Sequence, residues 1–168
     1  MKIRNGFVSN SSSSSFVVAF DKVPTSAKEM KKILFRNEKE FKNPYFYPEE
    51  RDSIFSWPAE DVSEIAFNDM KEISDEEAMQ VVRSGYHEEY ADLDDFRVGD
   101  GDGWNYDWDR YTQTNDKVAQ KIFKEFRKQH PNEHLFTFTY IDSDGPLATA
   151  MEHGNLFGRV PHIYISQH

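Results

Sequence analysis

The pattern of apolar and polar positions predicts β-strands at both ends of the chain. Residues 16 to 20 are a continuous apolar run, FVVAF. Residues 134 to 141, HLFTFTYI, place aromatic residues at alternate positions, and residues 160 to 166, VPHIYIS, form a similar segment. Alternate residues of a strand lie on the same face, so each of these segments can present an apolar face to a core. These strands hold most of the strand-forming residues of the chain, and we expect them to join in one sheet.

Apolar residues with helical spacing occupy the middle of the chain. Met30, Ile33 and Leu34 recur at i, i+3 and i+4, as expected for one face of a helix. Ser26 and Glu29 have the spacing of an N-terminal capping box. Ser74 and Glu77 share that spacing, and Gly85 is the expected end of the helix that they open. Such signals predict helices that start near Ser26, Trp57, Ser74 and Asn115, and a short helix over 146–153.

Together these elements predict an α+β fold in one domain spanning residues 1–168. The sheet is expected to be small and mainly antiparallel and to contain the N- and C-terminal strands. Three or four helices are expected to pack on one face of it. A chain of 168 residues is long enough for a sizeable core, and 14 phenylalanines and 8 tyrosines supply large apolar rings.

Charge and composition narrow the classes of function. The formal net charge is −10, which repels nucleic acids and anionic membranes and suits a partner with a basic surface. The chain has no cysteine, which excludes disulfides, thiolate metal sites and cysteine nucleophiles and fits a reducing compartment. No signal-peptide core or membrane-length apolar run is present. We therefore expect a cytoplasmic protein that binds neither nucleic acid nor membrane and needs no cofactor or metal.

Residues 86 to 111 are the most acidic and aromatic part of the chain. One interpretation is that the rings form core while the carboxylates remain solvated; the other is an interface in which aromatic anchors and negative charge meet a basic partner. A calcium loop fits poorly, because a tryptophan takes the third ligand position after the two alternating aspartates. The residues predicted to contact a partner are Trp104, Tyr106, Trp108, Asp100, Asp102 and Asp107.

Carboxylates and histidines also cluster near the C-terminus. If the last two strands are neighbours, these groups converge and suit a divalent metal or acid–base chemistry. Their spacing matches no known ligand motif, and turn formation and helix capping explain the same residues. The candidate catalytic residues are Asp142, Asp144, Glu152, His153 and His162.

Five consecutive serines, Ser11, Ser12, Ser13, Ser14 and Ser15, separate two apolar segments. Three interpretations remain: a low-complexity linker, a loop that satisfies its own backbone, and a loop whose N–H and O–H donors hold an anion. In the third case, these ligand-binding serines are expected to lie beside His153 or His162 in one concave pocket.

The segment around this tract, residues 5 to 16 with the sequence NGFVSNSSSSSF, resembles the N-terminus of uncharacterised proteins from bacteria and large phages. The segments EHG at 152–154 and PHI at 161–163 are also similar to such proteins. The resemblance implies no activity, but it favours a phage-related accessory protein.

The sequence therefore predicts an acidic, non-enzymatic accessory protein that binds a protein partner. The alternative is a small ligand-binding or metal-dependent enzyme domain that combines the serine tract with the C-terminal histidines and aspartates. No nucleotide-binding or hydrolase motif occurs.

Overall fold

A computed structural model describes residues 13–49, 54–99 and 105–167. Short 3-10 helices occupy Leu93–Phe96 and Asp142–Asp144. The helices within the described residues are α1 (Ala27–Leu34), α2 (Ala59–Asp69), α3 (Asp75–Ser84), α4 (Trp108–Gln129) and α5 (Pro146–His153). The strands are β1 (Ser13–Phe20), β2 (Glu40–Lys42), β3 (Ser56–Pro58), β4 (Lys71–Glu72), β5 (His134–Ile141) and β6 (His162–Ser166).

The main sheet joins the two ends of the described chain, as the sequence predicts. Its strand order is β4-β5-β1-β6, and every neighbouring pair is antiparallel. In the register of β1, Ser14 pairs with Tyr140 of β5 and with Ser166 of β6. A separate pair of strands, β2 and β3, forms a second small sheet. The α+β class and the antiparallel sheet of terminal strands are confirmed.

Helices cover both faces of the main sheet, so the prediction that they pack on one face is wrong. Phe16, Val18 and Phe20 of β1 belong to one buried cluster, whereas Val17 and Ala19 belong to another. All five are at most 3% exposed. A strand with apolar residues at consecutive positions needs cover on both sides, which is the physical meaning of the FVVAF run.

The two apolar clusters assign each helix to a face. Met30 of α1, Val62 of α2 and Met151 of α5 pack with Phe16 and its neighbours on what we call the α5 face. On the opposite face, which we call the α4 face, Ala78 of α3 and Ala119 of α4 are fully buried. Both helical layers therefore stabilise the same central strand.

The helix starts depend on local side-chain caps. Ser74 accepts a hydrogen bond from the Glu77 N–H, and the Glu77 carboxylate accepts from the Ser74 N–H, which completes the predicted capping box of α3. At α1 only half of the box forms. Ser26 accepts from the Glu29 N–H, but the Glu29 carboxylate turns to Thr25.

Removing the α3 cap gives a first prediction. Ser74→Ala leaves the Glu77 N–H without its side-chain acceptor, and we expect the free energy of unfolding to fall by about 1 kcal/mol. Chemical denaturation checks this, with Gln80→Ala as a control at an exposed position inside the same helix. Equal losses from the two substitutions contradict the capping role.

Helix α4 begins seven residues before the predicted start at Asn115. Asp107 caps it by accepting a hydrogen bond from the Arg110 N–H at 3.0 Å. The first helical residue is Trp108. The helix start therefore places part of the acidic, aromatic segment on a rigid element.

Candidate functional site

A polar cluster lies at one end of the main sheet, in the otherwise apolar α5 face. Ser14 of β1 is fully buried, and its hydroxyl donates to Glu152 Oε1 at 3.2 Å. The same hydroxyl is hydrogen-bonded to the Tyr164 hydroxyl at 2.9 Å. Ser14 therefore connects a residue of α5 to a residue of β6, two segments that reach it from the far end of the chain.

Glu152 is the charged residue at the centre of this cluster. It is 1% exposed, although it sits near the end of a short surface helix. Its Oε2 lies 3.5 Å from Nε2 of His153, whose side chain is 24% exposed. Burying a carboxylate costs several kcal/mol unless hydrogen bonds and a counter-charge compensate it. The contacts with Ser14 and His153 provide part of that compensation.

Tyrosine rings form the outer side of the cluster. The Tyr45 and His153 rings are perpendicular, with centroids 5.5 Å apart. Tyr45 and Tyr164 are 42% and 37% exposed. Desolvation raises the pKa of the Tyr45 hydroxyl, and the negative charge of Glu152 raises it further. We call Ser14, Tyr45, Glu152, His153 and Tyr164 the Glu152 cluster.

The sequence positions these groups by local turns and close packing. The Asn43 side chain accepts from the Tyr45 N–H and donates to the Ile54 carbonyl, which fixes the loop that carries Tyr45. Gly154 ends α5 so close to β2 that a Cβ atom there would lie 2.7 Å from the Phe41 ring. The missing side chain lets the end of α5, and with it His153, approach Tyr45.

A row of polar side chains crosses the sheet beneath the cluster. Tyr140, Ser14 and Ser166 are direct partners on β5, β1 and β6 and share one face. Among the described residues, the Tyr140 hydroxyl and the Ser166 Oγ are buried without a hydrogen-bond partner. Burial and the nearby charge of Asp69 raise the pKa of Tyr140. Such a row is unusual in a core, where buried polar atoms are nearly always paired.

The serine tract is not a loop where the structure describes it. Ser13, Ser14 and Ser15 belong to β1, and Ser11 and Ser12 lie outside the described residues. Ser13 donates to the Gln167 side chain, and Ser15 is hydrogen-bonded to Thr139. The loop interpretation is wrong for these three residues, because cross-strand partners satisfy their hydroxyls. Their predicted ligand-binding role stays a prediction.

Of the predicted catalytic residues, Glu152 accepts a hydrogen bond from Ser14 of the serine tract, and His153 contacts Glu152. His162 starts β6 four residues from Ser166, about 13 Å along the strand, and its Nδ1 lies 3.0 Å from the Val160 carbonyl. Asp142 and Asp144 form the 3-10 turn after β5. Within the described ranges, no group of three or more histidine, aspartate or glutamate side chains could hold a metal ion.

The acidic, aromatic segment divides between core and surface. Tyr90 and Phe96 are buried, whereas Trp108 is 57% exposed. The Trp108 ring contacts those of Tyr106 and Tyr111, at centroid distances of 5.7 and 6.0 Å. The predicted residues Asp100, Asp102 and Trp104 lie outside the described residues.

Next to these rings, a cavity of about 580 Å³ opens between α3 and α4. Its lining includes Tyr111, Arg83 and Asn115. Arg83 is paired with Asp116 at 2.6 Å, and Asn115 accepts a hydrogen bond from the Ala91 N–H. The surface around Trp108 thus combines an exposed ring with an adjacent opening.

Sequence reasoning missed Tyr45 and Tyr164 as site residues. Tyr45 belongs to an aromatic triplet, residues 45 to 47, which is equally typical of local packing. Only the pairing of β6 with β1 brings Tyr164 to Ser14, so no local signal identifies it.

Comparison with known proteins gave no matching family model, no similar curated protein and no similar solved structure. In the part of the chain that the structure describes, no helix combines the length and apolar character needed to cross a bilayer.

Proposed function

We propose that this chain is an acidic accessory protein that binds a basic partner protein through the surface around Trp108. The observation that carries the proposal is the exposure of Trp108, 57%, on the first turn of α4. Tryptophan is among the residues that contribute most to binding energy at protein interfaces, and a large exposed ring on a rigid element is suited to that use.

The charge around this ring favours a basic partner. Asp94, Asp95 and Asp109 are exposed, and they belong to the elements that flank Trp108. With a net charge of −10, the protein attracts a basic surface over a distance of roughly one Debye length, about 8–10 Å. Electrostatic steering would raise the association rate, while the aromatic contacts would hold the complex together.

The contacts within this surface support a preorganised site. Tyr106 pairs with Arg97 in an antiparallel bridge, and its hydroxyl donates to Asp94. Arg110 lies over the Phe96 ring at 5.2 Å. A surface already fixed before binding loses less conformational entropy on association, so a larger part of the contact energy appears as affinity. The cavity lined by Tyr111 offers room for a partner side chain.

A comparative pull-down from a bacterial lysate tests this function. We expect Trp108→Ala to weaken capture of the bound protein by at least about tenfold, because the substitution removes the exposed anchor. We also expect raising the salt from about 50 to 500 mM to weaken it, because screening reduces the charge attraction.

The matched control is Phe55→Ala, which removes a ring of similar exposure, 53%, from a different part of the chain. A protein retained by the wild type and by Phe55→Ala but lost by Trp108→Ala supports the proposal. Salt-insensitive capture, or equal capture by all three proteins, overturns it. The phage-related context rests on the N-terminal resemblance and is part of the same proposal.

A further inference from the structure

We propose that the Glu152 cluster is a binding site for an organic cation, an ammonium group that rests between the rings of Tyr45 and Tyr164. This site is independent of the partner surface around Trp108, and it would recognise a small amine or the amine of a larger ligand.

The first argument is the placement of the negative charge. Glu152 has a side chain with no exposed area, and it is held by the Ser14 hydroxyl and by His153. A charge surrounded by protein is screened less than one in water, so its field extends to nearby surface groups. Desolvation raises the pKa of the Tyr45 hydroxyl, and the charge of Glu152 raises it further, as expected for a hydroxyl near this carboxylate.

The second argument is the chemistry of the rim. Tyr45 and Tyr164 each expose about two fifths of their surface, and the neighbouring Tyr47 exposes 52%. The faces of aromatic rings carry negative potential and attract cations, and aromatic cages are a recurring way to bind ammonium groups. A buried carboxylate behind two tyrosines adds to this attraction and repels anions.

The third argument concerns the polar atoms beneath the rim. Ser166 is 6% exposed, and its Oγ has no hydrogen-bond partner among the described residues. It lies beside Ser14 in the sheet. A buried acceptor left unpaired costs about 1–3 kcal/mol in typical proteins. At this end of the α5 face, a buried polar group therefore has no hydrogen-bond partner among the described residues, which is typical of a site that binds a ligand.

An organic cation fits this site better than a metal ion. Metal ions require several oxygen or nitrogen ligands at short distance. No group of three metal-ligating side chains of this kind exists in the described ranges. A weakly hydrated ammonium instead needs ring faces and one nearby negative charge, which Tyr45, Tyr164 and Glu152 provide.

Titration with tetramethylammonium chloride, followed by NMR of the aromatic rings, tests the proposal. Sodium chloride at equal ionic strength is the reference. We expect saturable shifts at Tyr45 and Tyr164 with tetramethylammonium and none at Trp108. Tyr45→Leu should abolish saturation, and Glu152→Gln should weaken binding about tenfold, because each removes one source of attraction.

Two variants keep the outcome decisive. Tyr45 is exposed, so Tyr45→Leu tests the site even if Glu152→Gln alters the fold. Trp108→Ala should bind the probe as the wild type does, which separates this site from the partner surface. Absence of saturation in the wild type, unchanged binding by Tyr45→Leu, or equal shifts with sodium chloride overturns the proposal.

Discussion

Replacing Phe138 with alanine will lower the free energy of unfolding by about 3–5 kcal/mol. Phe138 lies on β5, is 1% exposed and is among the largest fully buried side chains in the described residues. Its ring packs against Phe157 with centroids 4.6 Å apart and against Phe20 at 6.5 Å. Alanine removes the ring from a position that touches two other segments, and the cavity left behind adds to the lost burial.

Urea or heat denaturation followed by circular dichroism measures this effect. Phe55→Ala provides the control, because the same chemical change at a ring that is 53% exposed should alter the free energy of unfolding by no more than about 0.5 kcal/mol. A loss below about 1 kcal/mol for Phe138→Ala contradicts the packing described for the α5 face.

A second large effect is expected from Gly85→Ala, at about 3 kcal/mol, the upper end of the range for overpacking. A Cβ atom on Gly85 would lie 2.3 Å from Cγ2 of Ile165 and 2.4 Å from the backbone oxygen of Ser166. One of these atoms is backbone and cannot rotate away. The added methyl therefore forces apart the end of α3 and β6.

The same substitution should disturb the bridge between Tyr86 and Ser166, whose two backbone hydrogen bonds measure 2.6 and 3.0 Å. Amide hydrogen exchange at Tyr86 and Ser166 separates this local effect from global destabilisation. Lys117→Ala, at an exposed position of α4, is the control for helix stability. Normal stability and unchanged exchange in Gly85→Ala would show that the two segments are not in contact.

Gly85 also shows how a correct prediction can have a different cause. The sequence predicts it as the end of α3, because glycine commonly ends a helix with a positive φ angle. Its φ is −126°, an extended conformation that any residue adopts. The residue is glycine because β6 passes too close for a side chain, and that contact depends on a segment about 80 residues away.

The sequence predicts correctly those elements whose cause lies within a few residues, such as a helix cap or an alternating apolar pattern. The Ser74 capping box and the alternating rings of β5 both lie where expected. The start of α4 was missed because its first two turns carry Trp108 and Tyr111 among polar residues, without the apolar stripe that begins at Val118. An aspartate cap without a glutamate three residues later gives a weak start signal.

The candidate sites depended on contacts that no local pattern encodes. Ser14 meets Tyr164 across a separation of 150 residues, and Ser15 meets Thr139 across 124. Serine has little intrinsic preference for strands, so only these partners explain why the tract extends β1. The sequence around Glu152, an Ala-rich helix, likewise predicts a solvated carboxylate. Glu152 is buried because α5 packs against Ser14 of β1.

The central position of β1 has a consequence for synthesis. Both of its neighbours in the sheet come from residue 134 onward. At typical rates of 5–20 residues per second, roughly 6–25 s separate the synthesis of β1 from that of its first long partner. During that interval a nascent chain on the ribosome carries the apolar ribbon of β1 before either of its two described sheet neighbours has been synthesised. The ribbon is a natural target for chaperones that bind extended apolar segments, and we infer that this polypeptide completes its fold only after translation of the last strand.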